Sequence, residues 1–354
     1  MRVTEGIYFY EGDKVDQSHK GYFHYYRGMA ASNFLVIPGK RQLMIDSGIP
    51  EGPHLSRVKA ELRQDKIKLE QTNEIFFSHA HPDHTLWAKK LYEQSKGKIK
   101  LALHGADLDM TQSDVYFFRK FFNYPPYVLS DIFQAPEWLV MFFLRLIHMD
   151  FGSLKIERTL TDGQVIPSGA GDIVVKSMPA HSPGHVGYYF TDRNTFYSGD
   201  LFDLRCTEGG SILAANSNYD QIFKDIQTIR GLNIRTLIPG HGSPIKGKKA
   251  ISATLDRVEK ASERFIEDAL RLIPKGETAS GVSITELAEE MFPGAITYNA
   301  FSRRIIAYHS LEKLHEAGQV DFRVERQRAY WYGEPRQGSG PLGRDHPPET
   351  PVSA

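Results

Sequence analysis

The chain has 354 residues, 41% of them apolar and 24% charged, which is material for a buried core and more length than one average domain needs. Its 43 basic and 43 acidic residues cancel, so no overall field draws it to nucleic acid or to anionic lipid. The single cysteine, Cys206, excludes an internal disulfide and suits a reducing, cytoplasmic setting; Met1-Arg2-Val3-Thr4-Glu5-Gly6 shows no basic region leading into an apolar export segment.

Residues 1 to 50 alternate apolar and polar positions between turn residues. Ile7-Tyr8-Phe9-Tyr10, Asn33 to Ile37 and Gln42 to Ile45 are predicted strands of an antiparallel sheet that packs on a second sheet. Asp46-Ser47-Gly48 follows as a turn. Leu55, Val58, Leu62 and Ile67 then mark an amphipathic helix over 52 to 70. The apolar run Ile75-Phe76-Phe77 predicts a buried strand, and Ser78-His79-Ala80-His81-Pro82-Asp83-His84 leaves its C-terminal end. Ligands and catalytic groups collect at such strand ends in open α/β sheets. Imidazoles and a carboxylate at this spacing suit zinc or a similar divalent ion, and without cysteine nearby a thiolate finger is excluded.

A helix is predicted from Thr85 to Gln94 and a strand over Leu101 to His104, with His104 a neutral structural residue. Residues 107 to 158 are unusually aromatic. Their longest apolar run, Trp138 to Leu144, ends at Arg145 and is far shorter than the roughly 20 residues that span a bilayer. Leu139, Phe142, Phe143 and Leu146 share one helical face, which fits core packing, a dimer surface or a helix at a lipid interface.

Further on, His181-Ser182-Pro183-Gly184-His185 sits in a Pro/Gly-rich loop after Ile173-Val174-Val175. Asp200 follows Thr195-Phe196-Tyr197, and His241 follows Leu237-Ile238. A strand end followed by a metal-capable side chain thus recurs along the chain, and one pocket explains all of them. In these residues the chain resembles the metallo-β-lactamase superfamily. The H-x-H-x-D-H signature is His79, His81, Asp83 and His84; the H-S-P-G-H form of the next motif begins at His181; Asp200 and the P-G-H-G histidine, His241, complete the set.

The resemblance, over residues 1 to 248, implies an α/β, four-layer αββα sandwich. It implies that His79, His81 and His181 hold one divalent ion, that Asp83, His84 and His241 hold a second, and that Asp200 bridges the two. Zinc is the first expectation, iron or manganese the alternatives. Asp46 becomes a residue that holds the histidine turn in place. Insertions between the first and third motifs of this superfamily cover the active-site mouth, so the aromatic segment is read as an apolar lid or substrate wall.

Past Asp200, Arg205 lies in a loop at the expected rim, where it is a candidate anchor for an anionic substrate group. Tyr219 opens a helix and is a candidate to face the metals. Beyond Gly247 the pattern changes: helices are predicted over 249 to 273, 283 to 292 and 298 to 318, then a hairpin of Val320 to Glu325 and Arg328 to Gly333. That order resembles a winged helix, an appendage of lactamase-like endoribonucleases, with Arg303, Arg304, Lys313, Arg323, Arg326 and Arg328 as a basic face interleaved with Glu312, Glu316, Asp321 and Glu325. The domains expected are 1 to 248, 249 to 333 and a disordered tail from 334 to 354.

The function expected is a metal-dependent hydrolase in which a hydroxide shared by two ions attacks a small ester, lactone or thioester with an apolar part. Asp83 both binds metal and orients the nucleophile or passes its proton on. Two alternatives stand beside it: a phosphodiesterase or endoribonuclease that holds nucleic acid on the winged helix, and a metal-binding regulator without activity. A small-molecule substrate and a homodimer are the expected partners, with no membrane-spanning segment.

Overall fold

The computed structural model describes residues 2–12, 31–136, 138–140, 142, 154–202, 217–276, 280–294 and 300–333. Arg205, Cys206, Phe143, Leu146 and the tail from 334 lie outside the described residues. The chain divides into two compact units, Met1–Asn123 with Phe143–Glu263 and Tyr124–Phe142 with Arg264–Ala354.

The first unit is built on two sheets. In one, β1 (Arg2–Thr4), β2 (Ile7–Tyr10), β3 (Phe34–Ile37), β4 (Gln42–Ile45), β5 (Thr72–Phe76), β6 (Lys100–His104) and β7 (Arg158–Leu160) lie side by side in chain order. The strands up to β4 pair antiparallel and those from β4 to β7 parallel. In the other, β8 (Val165–Ser168), β9 (Gly171–Ser177), β10 (Val186–Phe190), β11 (Thr195–Tyr197), β12 (Thr236–Ile238) and β13 (Ile245–Lys246) also keep chain order, with β11 and β12 parallel.

One apolar core joins them. Ile7, Phe9, Leu35, Ile37, Ile45 and Phe76 from the first sheet meet Ile173, Val175, Val186, Tyr188, Phe190 and Ile238 from the second. The period of two explains which residues these are: Leu35 and Ile37 of β3 point into this core, while Phe34 and Val36 are buried on the other face. There Phe34 meets Trp87 edge-on, ring centroids 5.7 Å apart. Trp87 belongs to α2 (Pro82–Gln94), and α1 (Leu55–Gln64) buries Val58 and Leu62, as its spacing predicts. Glu74 of β5 is buried between Arg41 and Arg158.

The aromatic segment does not stay together. α3 (Asp114–Phe121) remains with the two sheets, but α4 (Pro126–Phe133) joins the second unit. The first unit is completed by α5 (Tyr219–Gly231) and the start of α6 (Lys248–Leu272), whose Ile251, Leu255 and Val258 are buried as expected. No helix among the described residues is long and apolar enough to cross a membrane.

The second unit gathers α4, α7 (Ile284–Met291), α8 (Ala300–Glu316) and the hairpin β14 (Val320–Glu325) with β15 (Arg328–Gly333). Ser283 and Glu286 form a capping box at the start of α7. The Asp131 carboxylate of α4 accepts from Ile284 N at 2.6 Å, and Val128, Leu129 and Ile132 of α4 are buried. Tyr124 meets Tyr308, and Tyr127 meets Phe322, at ring distances of 5.4 and 5.5 Å. These residues are therefore core of the second unit. The expectation of a single wall over 107 to 158 is corrected on this point: the rings of Tyr124, Tyr127 and Phe133 pack on Tyr308, Phe322 and Phe301, in α8 and β14 far later in the chain.

Candidate metal centre

Each turn that bears a metal-capable residue follows a strand. His79 and His81 lie between β5 and α2, where Pro82 occupies the first helical turn and Asp83 and His84 come next. His181 lies between β9 and β10, Asp200 after β11 and His241 after β12. The Asp200 turn requires Gly199, whose φ is +52°; a Cβ there would fall 2.4 Å from His185 Nε2.

All seven residues singled out in the sequence come together, in two groups. His79, His81 and His181 form one; Asp83, His84, Asp200 and His241 form the other. Within each, the ligand atoms lie within 4.8 Å of one another. His81 Nδ1 and His181 Nε2 are 3.0 Å apart. Asp200 uses its two oxygens on different partners, Oδ1 3.1 Å from His84 Nε2 and Oδ2 3.4 Å from His241 Nε2. Asp83 Oδ2 lies 3.1 Å from His241 Nε2 and 3.6 Å from His84 Nε2.

The hydrogen-bond network sets the tautomers. Ser78 Oγ donates to Asp46 Oδ2 at 2.7 Å and so accepts from His79 Nδ1 at 2.9 Å; His84 Nδ1 donates to Asp46 Oδ2 at 2.7 Å. Both Nε2 atoms then face the cluster, that of His79 with its lone pair and that of His84 toward Asp200 Oδ1. His79 Nε2 is buried and has no hydrogen-bond partner. Burial, followed by the neighbouring imidazoles, pushes the His79 and His81 pKa values well below the usual range, so both are neutral donors. At His84 burial alone works downward, but Asp200, Asp46 and Asp83 outweigh it and hold the pKa at about 10. Neutral imidazoles on one side and carboxylates that call for positive charge on the other are a donor set that fits two divalent ions.

Asp46 fills the role the resemblance gave it, accepting from Ser78 N, Ser78 Oγ, His84 Nδ1 and Tyr197 Oη. Other supports went unread in the sequence. His185 Nδ1 donates to Met178 O at 2.9 Å while its Nε2 accepts from Asp200 N at 3.0 Å, which fixes the Asp200 backbone. Asn33 donates through Nδ2 to Pro239 O and Gly242 O, on either side of His241. Asp225 accepts from Ala180 N beside His181, and Asp107 accepts from Ala80 N, Ser182 Oγ and Gly184 N. His185 closes the H-S-P-G-H motif and bonds within 15 residues, but no local pattern announces Asn33, Asp107 or Asp225, whose partners are distant in sequence.

Apolar surface adjoins the first group. Phe117 and Phe121 of α3 stack at 5.3 Å, and Phe121 lies edge-on to His81 at 4.9 Å. Tyr219 is buried and stacks on Phe223 at 6.4 Å. His104 accepts from Ala106 N, a structural role as expected.

Comparison with known proteins agrees with this architecture. A metallo-β-lactamase family protein from Thermus thermophilus superposes with a TM-score of 0.68 at 16% identity, covering 94% of this chain and all (100%) of that one. A beta-lactamase domain protein from Burkholderia ambifaria gives 0.63 at 14% identity, covering 94% and 93% of the two chains. Among curated proteins, a hydroxyacylglutathione hydrolase of Rhodospirillum rubrum is 28% identical over 119 residues, 33% of this chain and 44% of that protein's length. The model of the metallo-β-lactamase superfamily matches residues 26–241, from ahead of β3 to the last histidine of the cluster. With that match spanning more than half of the chain and running through all seven clustered side chains, this chain belongs to the metallo-β-lactamase superfamily.

Proposed function

We propose that the protein is a metal-dependent hydrolase of a small ester, lactone or thioester with an apolar part. The observation that carries the reading is the gathering of His79, His81 and His181 beside Asp83, His84, Asp200 and His241. In this reading the first three hold one ion, Asp83, His84 and His241 hold the other, and Asp200 lies between them. Two divalent ions, zinc first, would supply hydroxide at neutral pH and draw electrons from the carbonyl under attack.

The chain's own residues do the rest. Asp83 lies at the edge of the cluster with its side chain 15% exposed, so its free oxygen can take a proton from the nucleophile and deliver it to the leaving group. Asp46 keeps His84 and His79 in the tautomers that present Nε2 inward. Phe117 and Phe121 give an apolar surface beside His81, suited to the acyl part of a substrate. The name of the curated relative denotes hydrolysis of an acylated glutathione, which supports a thioester within this class.

The order of three helices, α6, α7 and α8, and then the hairpin β14–β15 supports reading the C-terminal part of the chain as winged-helix-like. A role for it in holding nucleic acid is the weaker reading. α8 is buried on every side from Ile305 to Leu311, so it offers no face to a groove there. Arg303, Arg304 and Arg323 donate to Phe292 O, Ile132 O and Ser280 O. A panel of p-nitrophenyl esters, acyl thioesters, lactones, bis-p-nitrophenyl phosphate and RNA tests the assignment. Turnover of the acyl compounds is expected; turnover of the phosphodiesters alone would reverse it.

A further inference from the structure

We propose that Asp107 is a positioning residue for the three-histidine group: its one carboxylate holds together the two loops that carry His79, His81 and His181. The proposal rests on the two-ion reading above. Asp107 stands on the short 3-10 helix Gly105–Thr111, which leaves β6, the neighbour of β5 in the sheet. It is therefore carried by the frame and by neither ligand loop. The residue is fully buried.

Its oxygens divide between the loops. Oδ2 accepts from Ala80 N at 3.3 Å, and Ala80 separates His79 from His81. The same oxygen accepts from Ser182 Oγ at 2.8 Å, and Oδ1 accepts from Gly184 N at 2.7 Å, both just past His181. The second loop is trimmed to make this possible: a Cβ on Gly184 would lie 2.6 Å from Asp107 Cγ. A buried carboxylate stripped of water is costly unless donors surround it, so these bonds fix the loops as firmly as they satisfy the acid. Three of the other four residues hang from different supports: Asp46 for His84, His185 for Asp200 and Asn33 for His241. Removing Asp107 should accordingly loosen one ion and spare the other.

Titration of metal-free, full-length protein with Zn2+ against a competing chelator tests this. Wild type should take up two ions. Asp107→Ala should weaken one of them by about 10- to 100-fold, the usual cost of losing a support behind a metal ligand, and leave the second unchanged. Asp107→Asn, which sets an amide N–H against Ala80 N–H but keeps an acceptor for Gly184, should fall between. In a His81→Ala background, adding Asp107→Ala should not alter the remaining ion's affinity, because both changes act on the same group. Glu74→Gln loosens another buried acid of the same unit and should lower Tm with no change in the isotherm.

Equal weakening of both ions in Asp107→Ala, an unchanged isotherm, or further weakening in the His81→Ala background would overturn the proposal while the two-ion reading stands. A wild type that takes up no ion would sink both. If Asp107→Ala does not fold, Ser182→Ala removes one donor of the three, and the same ion should weaken by less than in Asp107→Asn; no weakening there counts against the role.

Discussion

At the scale of single residues the candidate site consists of side chains able to bind metal and of groups that hold them still. The metal-capable residues are legible because histidine and aspartate at short, fixed spacing after apolar runs have few other uses. The supports were not: Asn33, Asp107 and Asp225 are isolated polar residues in the sequence, and their partners lie 206, 77 and 45 positions away. Asp46 alone of the carboxylates among them could be anticipated, through the turn it opens. Asp46→Asn puts an amide N–H where His84 Nδ1 and Tyr197 Oη now donate, so metal affinity should fall by about 10- to 100-fold in a chelator competition. An unchanged affinity would remove Asp46 from the account.

Asp225 makes a prediction about pH. Burial, against the bonds from Gln221 and Ala180, pushes its pKa up to about 6 from an ordinary 3.8. A carboxyl whose folded pKa is raised favours the native state when protonated, so its contribution is complete below about 3.8 and is lost as pH climbs through about 6. Asp225→Asn stays neutral throughout. Its stability relative to wild type should therefore improve between pH 4 and pH 7 by up to about 3 kcal/mol, measured as urea midpoints across that range. Parallel profiles would show that Asp225 does not titrate in this way.

At the scale of elements the sequence read well wherever an apolar period ran unbroken. β14 and β15 have the bounds that alternation predicts, and α6 matches its predicted helix to within a residue at each end. α8 was located but its surroundings were not. Ile305, Ile306, Leu311 and Leu314 were expected to face inward, and do, yet Tyr308, His309 and Ser310 between them are buried as well. His309 Nδ1 and Tyr308 Oη both reach Glu312, which satisfies polar groups that amphipathic spacing assigns to solvent. Leu311→Ala should cost about 2–5 kcal/mol in urea unfolding and leave metal content unchanged. α3 carries a different expectation, for substrate choice. Phe121→Ala should lower kcat/KM for long-chain acyl esters by about 10-fold relative to acetyl esters, since apolar contacts discriminate by roughly that much. An equal effect on both chain lengths would argue that the ring merely supports His81.

At the scale of the whole molecule, family membership and the division into two units rest on long-range contacts that a linear reading cannot follow. Residues 107 to 158 look uniform in composition, yet α3 belongs with the two sheets and α4 with α7, α8 and the hairpin. Aromatic rings announce burial without naming the surface that buries them. The metal-capable residues escape this ambiguity because side chains from four separate turns can meet in only one place, and the fold brings the strand ends that bear them together. The proposed hydrolase activity requires that this meeting place bind metal. Elemental analysis of the purified protein after loading with Zn2+ and removal of the excess is the most direct test. About two ions per chain are expected for the wild type, falling toward one in His181→Ala and in His241→Ala; a folded wild type that retains none would contradict the account.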